Sequence, residues 1–247
     1  MAEPLLSIII PAYNEEHRLP GTLQAIHDFL ARQPYSAEVL VVENGSTDAT
    51  LAVAQGFAER LPYLRVFHED VRGKGWAVRR GMLAAVGAYR FICDADLSMP
   101  ITEVNRFLPP QLPAEVDIAI ASREAPGARR YGEPEIRHLA GRAFNLLVRL
   151  LALPGLQDTQ CGFKMFRAAV AEDLFRYQTI YGWTFDVEIL FIARRRGYKV
   201  VEIPIPWYFN PESKVRMWRD ARQMFLDVLK IRHNARRGLY DTPPRTL

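Results

Sequence analysis

The sequence has only two cysteines, Cys93 and Cys161, and no CxxC pair among its 247 residues. That excludes a disulfide-stapled scaffold and a cysteine-based zinc module, and makes a reducing compartment the expected setting. Long apolar runs are scarce too. The run Leu5-Leu6-Ser7-Ile8-Ile9-Ile10 stops at Pro11, and the stretch from Phe144 to Leu156 is cut by Arg149 and Pro154. Both fall short of the roughly 20 residues a spanning helix needs, and Met-Ala-Glu-Pro supplies no basic leader, so neither a membrane span nor a signal peptide is expected. Strong charge bias is also missing: Lys+Arg 32 against Asp+Glu 28 leaves +4, with pI about 9.1. Such a balance suits an anionic partner without naming one, and with no base-reading motif in view, nucleic acid is not expected.

What is present is an ordinary globular composition, 49% hydrophobic and 24% charged, in a chain long enough to bury a sizeable core. As far as about residue 122, short β-branched runs alternate with helical patterns. Strands are expected at Leu5–Ile10, Glu38–Val42, Leu64–Phe67, Tyr89–Cys93 and Asp117–Ala121, and helices at Gly21–Ala31, Thr47–Glu59 and Gly75–Val86. This alternation predicts an α/β fold, a doubly wound parallel sheet flanked by helices. Ligands of such sheets lie beyond the carboxyl ends of the strands. Further on, helices are expected at Ile136–Leu153 and Phe185–Arg196 and a strand at Lys199–Ile205. A last helix, about Val215 to Arg237, carries Arg216, Arg219, Arg222, Lys230, Arg232, Arg236 and Arg237 against Asp220 and Asp227.

Four loops at strand ends carry chemistry. Asp94-Ala95-Asp96 offers two hard carboxylates at i and i+2, a donor pair suited to Mg²⁺ or Mn²⁺ that could clamp a diphosphate. Pro11-Ala12-Tyr13-Asn14-Glu15 and Glu43-Asn44-Gly45-Ser46-Thr47-Asp48 bring a ring that can stack on a base, with Glu15 and Glu43 able to accept from a base imide or a ribose hydroxyl. Ser46 and Asp48 also fit helix-capping work. Arg72-Gly73-Lys74-Gly75 presents cations and backbone N–H groups to phosphate oxygens, although it is neither a P-loop nor a dinucleotide fingerprint.

Together these four segments resemble the inverting family 2 glycosyltransferases of GT-A fold. Asp158-Thr159-Gln160-Cys161-Gly162-Phe163-Lys164, Trp183-Thr184-Phe185-Asp186-Val187-Glu188 and Ser213-Lys214 are more narrowly similar to dolichyl-phosphate β-glucosyltransferases and their prokaryotic polyprenyl-phosphate relatives. The resemblance spans about Leu5 to Lys214. It implies a GT-A domain over 1–210, with a Rossmann-like, mostly parallel central sheet flanked by helices, a nucleotide-binding half to about 122 and an acceptor half from 123, followed by a basic amphipathic helix and tail at 211–247. It implies donor binding by Pro11, Tyr13, Glu15, Glu43, Lys74, Asp94, Ala95 and Asp96, with Asp94 and Asp96 around a divalent metal. Arg123 and Arg137, with Lys164 and Lys214 beside them, are implied for the acceptor phosphate, and Asp96, Arg123 and Arg137 for catalysis. Two positions depart from the family: Glu43 stands where an aspartate is usual, and Ser98 where mannosyl relatives often have Gln.

An alcohol acceptor needs a general base, whereas a phosphomonoester, with a second pKa of about 6, is largely anionic at pH 7 and needs cations for positioning. Asp158 and Asp186 fit either loop anchors or, for a hydroxyl acceptor, a base. The resemblance implies glucose transfer from UDP-glucose to a polyprenyl phosphate by a cytoplasmic protein, peripheral at the cytoplasmic membrane face. Transfer to a saccharide hydroxyl, mannosyl transfer from GDP-mannose, and a nucleotide-sugar-binding scaffold without catalysis are the alternatives. Aromatic residues at Pro206-Trp207-Tyr208-Phe209 before the basic last helix suit a lipid headgroup region.

Overall fold

The alternating pattern becomes alternating strands and helices in the computed structural model, which describes residues 3–211 and 217–241. The first half runs β1 (Leu6–Ala12), α1 (Leu19–Leu30), β2 (Ala37–Glu43), α2 (Thr50–Ala58), β3 (Leu64–His68), α3 (Lys74–Ala84) and β4 (Tyr89–Ile92). These strands pair in parallel in the order β3-β2-β1-β4. Register sets Ala12 beside Glu43 and Glu43 beside His68, so β1, β2 and β3 end level and the loops that leave them emerge at one end of the sheet, where such sheets take ligands.

A 3₁₀ helix at Ile101–Phe107 precedes β5 (Ile118–Ser122), β6 (Arg129–Tyr131) and α4 (Glu135–Leu151). Then come β7 (Lys164–Arg167), α5 (Ala168–Arg176), α6 (Phe185–Arg195), β8 (Val200–Pro204), β9 (Pro206–Tyr208) and α7 (Met217–Arg236). The full sheet has the order β3-β2-β1-β4-β7-β5-β8, and β6 pairs with β9 apart from it. The sheet is mostly parallel, as a GT-A fold implies, with one exception that the strand pattern alone did not give: β7 runs antiparallel between β4 and β5. The connection from β5 through α4 begins and ends at the same sheet edge, so β7 must run back. The helix α5 lies where the sequence pattern suggested none.

Strand side chains alternate between faces, and both faces are covered, which is why the strands read as nearly continuous apolar runs. Leu6, Ile8 and Ile10 of β1 pack on one side with Leu23, Ile26, Phe29 and Phe107, while Ile9 packs on the other with Val78, Met82, Phe166 and Phe185. Each fully buried side chain of this size contributes roughly 1.5–3 kcal/mol. Helix α3 lies against β1 so closely that a Cβ on Gly81 would stand 2.4 Å from Ile9 Cγ2. The described part of the C-terminal segment belongs to this second core through Val228, Ile231 and Tyr240, and Tyr240 Oη donates to Glu188 Oε1 at 2.7 Å. Among the described residues no helix is long and apolar enough to cross a membrane.

Candidate active site

The loops after β1 and β2 are laced to each other. Asn14 N–H donates to Ser46 Oγ at 3.0 Å, Thr47 N–H to Asn14 Oδ1 at 2.8 Å, and Glu15 N–H to Thr50 Oγ1 at 2.7 Å. Asn14 takes φ +52°, a left-handed conformation its short polar side chain tolerates. Pro11 sits inside β1 and Tyr13 just past its end, with the Arg72 guanidinium 5.0 Å from the Tyr13 ring centroid. Glu15 is buried and its carboxylate accepts from Arg18 Nε at 2.6 Å, so it braces the loop. Asp48 accepts from Thr50 N–H at 3.0 Å at the start of α2, close to the capping role its residue type suggested.

Glu43 is 1% exposed at the end of β2, and its two oxygens accept from Ser46 N–H and bond His68 Nδ1. His68 Nε2 in turn lies 3.1 Å from Asp70 Oδ1. Hydrogen bonds from Glu43 and then Asp70 raise the His68 imidazole above its ordinary value. No sequence motif pointed to His68. The available signal was its place at the end of the third strand, level with Glu43.

After β3 the glycine-rich turn does less for phosphate than its composition suggested. Gly75 N–H donates to Tyr181 O at 3.0 Å, and a Cβ on Gly73, at φ +151°, would stand 2.4 Å from the same carbonyl. Those glycines allow α6 and its lead-in to pack closely, and the part turned to the site is Lys74. Its Nζ lies 2.6 Å from Asp94 Oδ1 and 5.6 Å from the Trp183 ring centroid. Burial works against the ammonium charge, yet Asp94, Asp186 and Asp96 hold Lys74 above the ordinary lysine value. Asp96 Oδ1 accepts from Ser98 N–H at 3.0 Å, and Ala95 O accepts from Thr22 Oγ1 at 2.6 Å, which ties the acidic turn to α1.

Arg123, just past β5, donates to Asp158 from Nε at 2.7 Å, from Nη2 at 2.9 Å and from its backbone N–H at 2.9 Å. Asp158 is fully buried; burial alone would raise its carboxyl, but Arg123 holds it at about 2. Glu202 of β8 accepts from the N–H groups of Gln157 and Asp158 at 2.8 and 2.9 Å, a support no sequence motif announced. Trp207 lies under both Arg123 and Arg130, at 5.3 and 5.8 Å from its ring centroid. Arg137, in the first turn of α4, stacks 4.9 Å from the Phe209 ring centroid.

Lys164 differs from the expectation. It is 1% exposed, bonds the Cys161 carbonyl and pairs with Asp186 Oδ1 at 2.9 Å, so it supports the site from beneath. Burial pushes the Asp186 carboxyl up while Lys164 and Lys74 pull it back. Asp158 and Asp186 are thus both anchors of ion pairs. Cys161 is held by burial at about 11, protonated and inert as a nucleophile. Lys214 and Ser213 lie outside the described residues.

Among the described residues no group of three or more His, Cys, Asp or Glu gathers as a metal site. The donor set nevertheless fits Mg²⁺ or Mn²⁺, because hard divalent ions are commonly held by one or two carboxylates and complete their shell with substrate phosphates and water. Asp94 and Asp96 supply such a pair, with Lys74 Nζ 2.6 Å from Asp94 Oδ1.

The sequence pattern described as "Glycosyl transferase family 2" matches residues 7–175. Dolichyl-phosphate beta-glucosyltransferase of Drosophila melanogaster is 35% identical over 247 residues, covering 92% of this chain and 74% of the relative. The protein of the same name in Saccharomyces cerevisiae is 32% identical over 262 residues, covering 96% and 77%. In fold, glucosyl-3-phosphoglycerate synthase of Mycobacterium tuberculosis, crystallised with Mn²⁺, uridine-diphosphate and phosphoglyceric acid, matches with TM-score 0.68 at 18% identity, covering 95% of this chain and 79% of that one.

Proposed function

Since the chain belongs to glycosyl transferase family 2 and is a glycosyltransferase of GT-A fold, we propose that it transfers glucose from UDP-glucose to a polyprenyl phosphate, with inversion at the anomeric carbon. Support comes from relatives named for dolichyl-phosphate glucosylation that cover more than nine-tenths of the chain. The observation that carries the choice of a phosphate acceptor is the Arg123–Asp158 pair. Of the two carboxylates that could serve a hydroxyl acceptor as a base, Asp158 is held by Arg123 at about 2, too weak a base for that task at neutral pH, and Asp186 is buried and paired with Lys164 at 2.9 Å. What the site offers an acceptor is positive charge.

A phosphomonoester oxygen attacks the anomeric carbon, a carbon–oxygen bond forms to the acceptor phosphate, and the bond to the UDP diphosphate breaks. The acceptor is already largely ionised, so no proton need be removed. Arg123 and Arg137 orient the acceptor phosphate, Arg through its planar fork. Lys74 stands beside the position of the diphosphate and Tyr13 at the base end, while Glu43, expected at the base, is buried and instead braces Ser46 and His68 from beneath. Mg²⁺ or Mn²⁺ bound at Asp94 and Asp96 supplies charge neutralisation for the departing diphosphate.

The work is done at the cytoplasmic face of a membrane, with the protein bound peripherally. Support comes from α4, whose Ile136, Leu139, Leu146 and Leu150 are 77%, 70%, 53% and 74% exposed beside Arg142 and Arg149. Its neighbour α7 leaves Phe225, Leu226 and Leu229 uncovered beside Arg222 and Lys230. Leucines with flanking cations suit an anionic lipid surface, each cation adding about 1 kcal/mol. Arg137 in the first turn of α4 would then meet the acceptor phosphate at headgroup depth.

The test is a screen of UDP-glucose, GDP-mannose and UDP-N-acetylglucosamine against undecaprenyl phosphate, dolichyl phosphate and oligosaccharide acceptors, with Mg²⁺ or Mn²⁺. Glucolipid from UDP-glucose is the expected product. Transfer to the oligosaccharides with none to either lipid phosphate overturns the reading.

A further inference from the structure

We propose that Gly162 is a positioning residue for Asp94, and that the segment 157–163 leading into β7 carries the contacts that hold both Asp94 and the acceptor cation Arg123. The second half of this statement rests on the function proposed above. Because β7 runs against both neighbours, its start emerges at the edge where β4 delivers Asp94 and β5 delivers Arg123. Register pairs Lys164 with both Ile92 and Ile120, and Ala121 N–H donates to Phe163 O at 2.9 Å. Two residues further along that register, Gly162 faces Asp94.

The contact leaves no room for a side chain. A Cβ on Gly162 would stand 1.7 Å from Asp94 Oδ2 and 2.2 Å from its Cγ. Gly162 does not occupy the left-handed region, so space is the requirement, and backbone conformation is not. On its other side the same carboxylate meets Lys74 Nζ, 2.6 Å from Oδ1. Asp94 is therefore held between a cation and bare backbone, which fixes where it can present an oxygen to a divalent ion. At its upstream end the segment is pinned by Glu202 at the Gln157 and Asp158 N–H groups, and Asp158 grips Arg123. Its middle is held by Lys164 Nζ on the Cys161 carbonyl, with Asp186 behind at 2.9 Å. One short strap thus touches both the acidic pair and the acceptor cation.

A double-mutant cycle tests this. Gly162→Ala and Asp94→Ala are made singly and together, and melting temperature and UDP–Mn²⁺ affinity by calorimetry are measured. In the parent background Gly162→Ala is expected to lower the melting temperature, to weaken UDP–Mn²⁺ binding about tenfold and to lower kcat by about a hundredfold, the scale of a misplacement near 1 Å. The acceptor KM should stay within about twofold. With Asp94 shortened, the thermal cost of Gly162→Ala should largely vanish, because the colliding group is gone. If Gly162→Ala does not fold alone but folds together with Asp94→Ala, the proposal stands. Equal thermal cost in both backgrounds, failure of both to fold, or unchanged UDP–Mn²⁺ binding overturns it. The thermal cycle needs no acceptor, so its failure is distinguishable from failure of the donor and acceptor screen.

Discussion

Arg123 and Asp158, 35 residues apart in the chain, meet in a two-edged pair in which Nε and Nη2 both donate to one carboxylate that has no exposure to solvent. Planarity of both groups makes the geometry specific, and burial makes it costly to break from one side only.

Removing the acid alone therefore hurts more than the pair itself stabilises. Asp158→Ala is expected to destabilise the fold by about 3 kcal/mol, since it leaves a largely but not wholly buried guanidinium without its partner. Urea unfolding of the two proteins measures it, and a difference under about 1 kcal/mol would show that Arg123 finds another partner. The acceptor KM should rise together with this loss.

The same pair sets an acid limit. Asp158 titrates at about 2 in the folded protein, below its ordinary unfolded value of about 3.9. Its contribution is present above about pH 4 and is lost as pH falls through the folded value, on the order of 2 kcal/mol in all. Stability measured from pH 6 to pH 2 should fall less steeply at the acid end in Asp158→Asn than in the parent.

His68 behaves with the opposite sign. Glu43 and Asp70 raise its imidazole, so its charged form adds stability that is full below about pH 6.5 and is lost as pH rises through the folded value. An NMR titration of the His68 ring should give a midpoint above 6.5, and Glu43→Gln should return it toward that value. A parent midpoint at or below 6.5 counts against the contact.

Asp96→Asn keeps the hydrogen bond to Ser98 N–H within reach while removing a charge from the proposed ion site. Turnover is expected to drop by about a hundredfold or more, with the melting temperature changed by no more than a degree or two. Activity within a factor of about three of the parent, at saturating Mn²⁺, contradicts a metal role for this residue.

On α4, Leu139→Glu combined with Leu146→Glu should abolish sedimentation with anionic vesicles at low salt and leave turnover of a short-chain, water-soluble acceptor phosphate unchanged. Both side chains are more than half exposed, so the fold loses little. Vesicle binding equal to the parent's removes α4 from the membrane contact.

Local pattern was enough to find the framework. The runs at β1, β2 and β4 are buried on both faces, so each is apolar almost throughout; β1 continues one residue past Pro11, β2 gives way to Asn44, and β4 leads through Cys93 to Asp94. The acidic pair, the Lys74 turn and Arg123 could be placed at one sheet edge from strand order alone. Lys164 could not be judged this way, because a lysine in a short apolar run looks the same whether it reaches solvent or is consumed by a buried Asp186.

By itself the sequence determined the strands and helices of the first half, α4, α6 and β8, and which loops carry charge, because hydrophobic periodicity and turn residues act within a few positions. Only the tertiary structure decided that β7 runs backwards between β4 and β5, and with it that Gly162 meets Asp94, Asp158 meets Arg123 and Lys164 is hidden. Those contacts join residues tens of positions apart, and strand order and direction, which no local pattern encodes, bring them together.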